Sequence, residues 1–149
     1  EGENPTTYTV ESDNITLINP TKTGYTFAGW TGTGLTAPTK NVIISTGSYG
    51  NKQYTATWTI NEYTVTYDYA SNGGKNSTVT SAKFDYNTQI DLTPVATKDN
   101  YEFIGWNTNK NATTGLTTLK MGTKDVTLYA IYAKDVVVKF GFDTTKVIS

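Results

Sequence analysis

The stretch Gly24-Tyr25-Thr26-Phe27-Ala28-Gly29-Trp30 returns further along the chain as Asn100-Tyr101-Glu102-Phe103-Ile104-Gly105-Trp106. The chain is therefore a tandem repeat. The step from Trp30 to Trp106 is too long for one solenoid turn or propeller blade, and it suits a small self-contained unit. A chain of 149 residues that would otherwise make one ordinary domain is thereby divided into two bodies with thin cores. A unit of that size buries only about 60 to 65% of its unfolded surface, so a few large side chains must supply the interior.

Those side chains are aromatic. Aromatics make up 13% of the sequence, with eleven Tyr, five Phe and three Trp, and each can bury roughly 150 to 250 Å². Threonine is abundant, charged residues are only 17%, and no run of helix formers occurs, a balance that favours strands. The expected fold class is mainly β: two tandem small β-rich repeat units with little or no helix. The net charge of −1 provides no field that would draw nucleic acid or an anionic membrane. There is no Cys and no His, and all twelve basic residues are Lys. Thiol and imidazole chemistry, disulfides and Ser-His or Cys-His catalysis are excluded with them. Lack of cysteine suits a bacterial extracellular protein that folds without oxidation. The start at Glu1 reads as a piece of something longer, whose targeting signals lie elsewhere.

Along the chain, Tyr8-Thr9-Val10 reads as the start of a strand, continued by Ile15 and Leu17 until Asn19-Pro20 stops regular pairing. Tyr25 and Phe27 then share one strand face. Gly29-Trp30 breaks the period of two, which predicts a bulge at Gly29 that turns the indole of Trp30 inward. A short strand at Val42-Ile43-Ile44 is followed by Gly47-Ser48-Tyr49-Gly50-Asn51, which reads as a hairpin turn. Tyr54, Ala56 and Trp58 alternate with Thr55, Thr57 and Thr59, the pattern of a half-buried antiparallel strand. Tyr63, Val65, Tyr67 and Tyr69 alternate in the same way. Ser71-Asn72-Gly73-Gly74 and Gly122-Thr123-Lys124-Asp125 read as turns, and Pro94-Val95-Ala96-Thr97 as the one place for a helical turn. Val126 to Tyr132 repeats the Tyr54 to Trp58 strand.

The tail Val136-Val137-Val138-Lys139-Phe140-Gly141-Phe142-Asp143 copies Tyr63-Thr64-Val65-Thr66-Tyr67-Asp68 and so opens a third repeat. Nothing ahead of Tyr8 has that pattern. By sequence, boundaries fall near Asn61 and Asp135; by completeness, the units are 1–75 and 76–149. In the second division residues 63–69 complete the first unit and residues 136–142 the second, leaving neither with an open edge.

Taken together, Tyr63-Thr-Val-Thr-Tyr-Asp, Gly73-Gly74, Phe84-Asp-Tyr86, Asn100-Tyr101-Glu-Phe103-Ile-Gly105-Trp106 and Leu128-Tyr129-Ala-Ile-Tyr132 resemble the Listeria-Bacteroides repeat, or internalin B-repeat. The resemblance implies a β-grasp-like unit with its helix reduced or lost. It also implies residence in long bacterial surface proteins, where tandem copies stand between a head module and the wall anchor. Asn100 in place of the glycine at position 24 departs from the first copy, and no catalytic residue carries over.

Candidate sites are few. Glu11 with Asp13 and Asp99 with Glu102 are close acid pairs, but thin sheets offer no cleft to hold two carboxyls across a substrate. Asp68 with Ser71 and Asn72, or Asp125 with Asn107 and Asn109, have oxygen ligands without the spacing of a calcium loop. Lys83 or Lys139 facing an Asn would be needed for a covalent cross-link. The expected core motif is Tyr25, Phe27, Gly29, Trp30 and Trp58, with Tyr101, Phe103, Gly105, Trp106 and Tyr132. Tyr49, Tyr69, Tyr129 and Ile131 form the candidate binding surface, the last two because they occupy the face that carries Thr in the matching strand. The expectation is a non-enzymatic spacer at the bacterial cell surface, without cofactor, metal, nucleic acid or membrane insertion. Its alternative is an adhesive repeat that touches a host protein or glycan through those side chains.

Overall fold

The computed structural model describes residues 2–135 and Gly141. In chain order its strands are β1 (Ile15–Thr16), β2 (Tyr25–Gly32), β3 (Ile43–Ile44), β4 (Tyr54–Ile60) and β5 (Glu62–Asp68). They continue as β6 (Asn76–Ser77), β7 (Ser81–Asp85), β8 (Ala96–Thr97), β9 (Tyr101–Asn107) and β10 (Val126–Lys134). The described residues are mainly β and form no helix. Two compact units result: one from Glu1–Thr64, Lys83–Ile90 and Lys120–Asp125, the other from Val65–Ala82, Asp91–Leu119 and Val126–Ser149.

The repeated heptapeptide builds the same hairpin edge twice. In the first unit β2 pairs antiparallel with β4, and the register slips between Phe27 and Gly29 so that Ala28 has no partner. In the second, β9 pairs antiparallel with β10, and Ile104 is skipped between Phe103 and Gly105. Gly29 and Gly105 take φ of 139° and 131°, which side chains with a Cβ rarely adopt. A Cβ on Gly105 would also stand 2.9 Å from the Cα of Gly115. The bulge predicted from Gly-Trp is thus present in both copies, and both indoles turn inward: Trp30 is 8% exposed and Trp106 0%.

The surroundings of the two hairpins differ. β10 lies between β9 and β5 in a four-stranded sheet of order β7-β5-β10-β9. Val65, Thr66, Tyr67 and Asp68 run parallel beside Val126, Thr127, Leu128 and Tyr129. A parallel pair needs a long crossover, supplied here by residues 69–125. The opening strand of the second repeat, expected to complete the first unit, runs from Val65 beside the closing strand of its own repeat. β2 and β4 form a sheet of two strands only. The core of the first unit includes Leu17, Trp30 and Val42, with Phe27, Leu35, Ile44, Tyr54 and Ala56 partly buried against them.

Three sequence expectations are corrected. Pro94–Thr97 makes no helical turn; Ala96 and Thr97 form β8 and pair with Ser77 and Asn76, because a backbone ladder satisfies these residues better than one isolated turn. Tyr8–Val10 is not a strand: no strand among the described residues pairs with it, and the backbone N–H of Ser12 closes a turn on Thr9 O at 3.0 Å. Gly47–Asn51 is not a hairpin turn, since β3 pairs with β1 and β4 with β2. The strand expected at Val136–Phe142 lies outside the described residues, Gly141 excepted.

Candidate functional site

Each repeat holds a lysine on its aromatic motif. Lys22 Nζ stands 4.0 Å above the ring of Tyr25 and 5.8 Å from that of Trp58. Lys98 Nζ stands 4.0 Å above Tyr101 and 5.5 Å from Tyr132. The backbone folds back the same way in both, the N–H of Tyr25 donating to Lys22 O and that of Tyr101 to Lys98 O. Such contacts contribute about 0.5 to 1 kcal/mol at exposed sites. The signal was in the sequence, as Lys three residues ahead of Tyr in both copies, and the aromatic motif drew attention from it. Behind each clasp the aromatics meet edge to face: Phe27 and Trp30 at 5.5 Å, Phe103 and Trp106 at 5.3 Å.

Tyr67 completes the second copy. Its ring packs edge to face on Trp106 at 5.1 Å, and its hydroxyl donates to Asp91 O at 2.5 Å. Burial, reinforced by the nearby Asp91 carboxylate, pushes the phenol up to about 12. Burial also raises Tyr132, with Asp68 adding to it. Burial pulls Asp68 upward, but hydrogen bonds from Ser71 and Ala70 and the nearby Lys110 hold it below its ordinary value. The oxygens of Asp68 are engaged by Ser71, and Asp125 Oδ1 accepts from the Thr64 N–H at 2.9 Å. Both acids act as turn and strand caps. Asp99 pairs with Lys75, and Lys83 sits 3.3 Å from Glu62 rather than on an Asn.

The first unit instead has a cleft of about 850 Å³ over Trp30, walled by Tyr8, Ile15, Ile44, Tyr49 and Tyr54. Tyr8 is tied across it by a 2.5 Å hydrogen bond from its hydroxyl to Gly50 O. Tyr49, on its rim, is 82% exposed. Of the other candidate binding residues, Tyr69 and Tyr129 are half-buried. Ile131 is only 3% exposed, which corrects the expectation that it faces outward. A strand with one open face alternates with Thr, as β4 does; β10, flanked by β5 and β9, carries apolar residues on both faces.

The family model of the Listeria-Bacteroides repeat domain matches residues 1–50 and 63–131. The chain belongs to that family. Among relatives, Internalin H of Listeria monocytogenes is 37% identical over 120 residues, covering 78% of this chain and 20% of that protein. A protein of Evansella cellulosilytica named as a Gly-rich membrane protein is 32% identical over 124 residues, covering 75% of this chain and 14% of its own length. The chain thus spans at most a fifth of these relatives. No solved structure matches it. Within this Listeria-Bacteroides repeat pair, Gly24 and Asn100 both take left-handed backbone, with φ of 77° and 60°. Asparagine tolerates that conformation, so the replacement leaves the loop unchanged.

Proposed function

We propose that the chain is a pair of non-enzymatic spacer repeats of a bacterial cell-surface protein, holding a neighbouring module away from the envelope. What supports the reading is which residues the two copies share. The Gly bulge, the inward Trp, its Phe partner and the Lys clasp recur in both. The most exposed aromatic among the described residues does not: Tyr49 stands in the Gly47–Asn51 loop, where the second copy has Gly122–Asp125. A duplicated scaffold without a duplicated surface fits reach better than recognition. The parallel pairing of opening and closing strands, β5 with β10, also supports the β-grasp-like reading. Location at the envelope is drawn from the names of the internalin and membrane-protein relatives.

Small-angle scattering on chains of two, four and six repeats tests it. A spacer lengthens by a constant increment per repeat, whereas a maximum dimension that stays flat sinks the idea. A second, adhesive reading rests on Tyr49 and its 82% exposure at the cleft rim. It expects Tyr49→Ala to abolish binding to a host-protein or glycan panel with the fold intact.

A further inference from the structure

Asn72-Gly73 is the one Asn-Gly dipeptide in the sequence, and such a pair carries a reaction that needs no enzyme. The backbone nitrogen of the glycine, unhindered because no Cβ stands beside it, attacks the side-chain amide carbon of the asparagine. A nitrogen–carbon bond closes a five-membered succinimide, and the amide nitrogen leaves as ammonia with the proton given up by the glycine N–H. Water then opens the ring at either carbonyl. One opening gives aspartate, and the other gives an isoaspartate whose backbone runs through the former side chain. No electron is gained or lost, and water is the only co-reactant.

The second unit holds both reacting groups elsewhere. The Asn72 side chain is half-buried, and its Nδ2 donates to Ala130 O at 2.9 Å and to Lys110 O at 3.1 Å. The nucleophile is turned away from it, because the Gly73 N–H donates to Ala70 O at 2.7 Å. The turn around the pair is fastened as well. The Gly74 N–H closes on Tyr69 O at 3.0 Å, Gly73 takes a φ of 80°, and Lys98 Nζ donates to the Asn72 backbone carbonyl at 2.8 Å. Ring closure requires the Gly73 nitrogen to release Ala70 and the Asn72 side chain to swing back onto its own backbone. That movement breaks both bonds from Nδ2.

The same bonds make the product a poor fit to the fold. β5 runs beside β10 as far as Tyr129, and at the next residue the Asn72 amide caps Ala130 O. An aspartate has an oxygen in place of that donor, so a carboxylate faces two carbonyl oxygens and neither is satisfied. An isoaspartate adds one backbone atom to a turn whose closures on Ala70 and Tyr69 are set by its length. We propose that Asn72-Gly73 is a self-modification site gated by the fold of the second unit. It is spared while the turn is closed and converts to aspartate or isoaspartate when the unit opens. Because the converted side chain has no donor for Ala130 and Lys110, an opening long enough for ring closure leaves a lasting mark. The site records how often the second unit has come apart, whether the chain serves as a spacer or as an adhesive repeat.

Peptide mapping by mass spectrometry decides it, on the whole chain aged in mildly alkaline buffer without urea and at urea concentrations across its unfolding transition. Conversion at Asn72 should be at least about tenfold slower in the folded chain than in the unfolded one, since local opening must come first. Between those limits the rate should follow the unfolded fraction. Chain aged unfolded and then refolded should lose the Trp106 indole signal at lower urea, in proportion to its converted fraction, and Asn72→Asp should reproduce that loss. Should Asn72→Asp fail to fold, the ageing series on the unaltered chain decides alone. Equal conversion in the folded and unfolded chain would overturn the proposal, as would an unfolded chain that does not convert. Converted chain that refolds with an unchanged urea midpoint would overturn it too, because the bonds to Ala130 and Lys110 would then not be what the product disrupts.

Discussion

Trp30 and Trp106 occupy the same place in two copies of one motif, and their neighbours on the covering side differ. Both follow a glycine bulge and both meet a Phe ring edge to face. Trp106 is then sealed by Tyr67, with Val65, Leu128, Ala130 and Ile131 all at 3% exposure or less. Trp30 looks into a cleft, and the strand beneath it, β4, carries Thr where β10 carries Tyr129 and Ile131. The motif determines the fold of its own hairpin. Whether its core is closed depends on a strand from elsewhere.

The largest test removes that cover. Tyr67→Ala should cost about 3 to 5 kcal/mol, as aromatic-to-Ala changes in cores do, read by urea unfolding of the second unit. Trp30→Ala should cost clearly less than Trp106→Ala, because Trp30 already borders open space; equal costs would erase the contrast. Next comes the paired loop position. In the first unit a Cβ on Gly24 would overlap the Tyr86 ring, so Gly24→Asn should cost about 2 kcal/mol through steric strain. Asn100→Gly should change thermal stability by a few tenths of that, since its conformation already suits glycine.

Acid-base behaviour sharpens the comparison further. The Tyr67 phenol is raised from 10.0 to about 12 in the folded state, so folding favours its neutral form. That contribution is complete below pH 10 and is lost as pH rises from 10 toward about 12. Tyr67→Phe should flatten this part of the stability profile while losing about 1 kcal/mol for the hydrogen bond to Asp91 O at neutral pH. The smallest effect is at the clasps. Lys98→Met should cost about 0.5 to 1 kcal/mol, and Lys22→Met less, because Lys98 Nζ also donates to Asn72 O at 2.8 Å. A larger loss at Lys22 would reverse the ranking of the two copies.

Much of this was legible in the residues. The Gly-Trp break in alternation gave the bulge, Thr alternation gave β4 its half-open face, and the spacing of motifs gave the repeat. The helical turn at Pro94–Thr97 failed because propensity over four residues is weaker than a backbone ladder to Ser77 and Asn76. Ile131 failed because a period of two marks a strand's faces, while what packs against each face in the tertiary structure determines which of them meets water. The cleft was invisible for a related reason. Tyr8, Trp30 and the Tyr49–Tyr54 stretch lie far apart in sequence, and the pairing of β2 with β4 together with the Tyr8 hydroxyl's bond to Gly50 O brings them around one volume.

By itself, then, the sequence determined the repeat, the mainly β class, the inward Trp30 and Trp106, and the absence of thiol and imidazole chemistry. These depend on composition, periodicity and the φ range open to glycine, all properties of a residue and its near neighbours. Tertiary structure alone decided that β5 runs parallel to β10, that Ile131 is core, and that Trp30 borders a cleft while Trp106 is covered by Tyr67. Those outcomes depend on which distant strand satisfies a backbone edge, and the local sequence of an edge does not specify that.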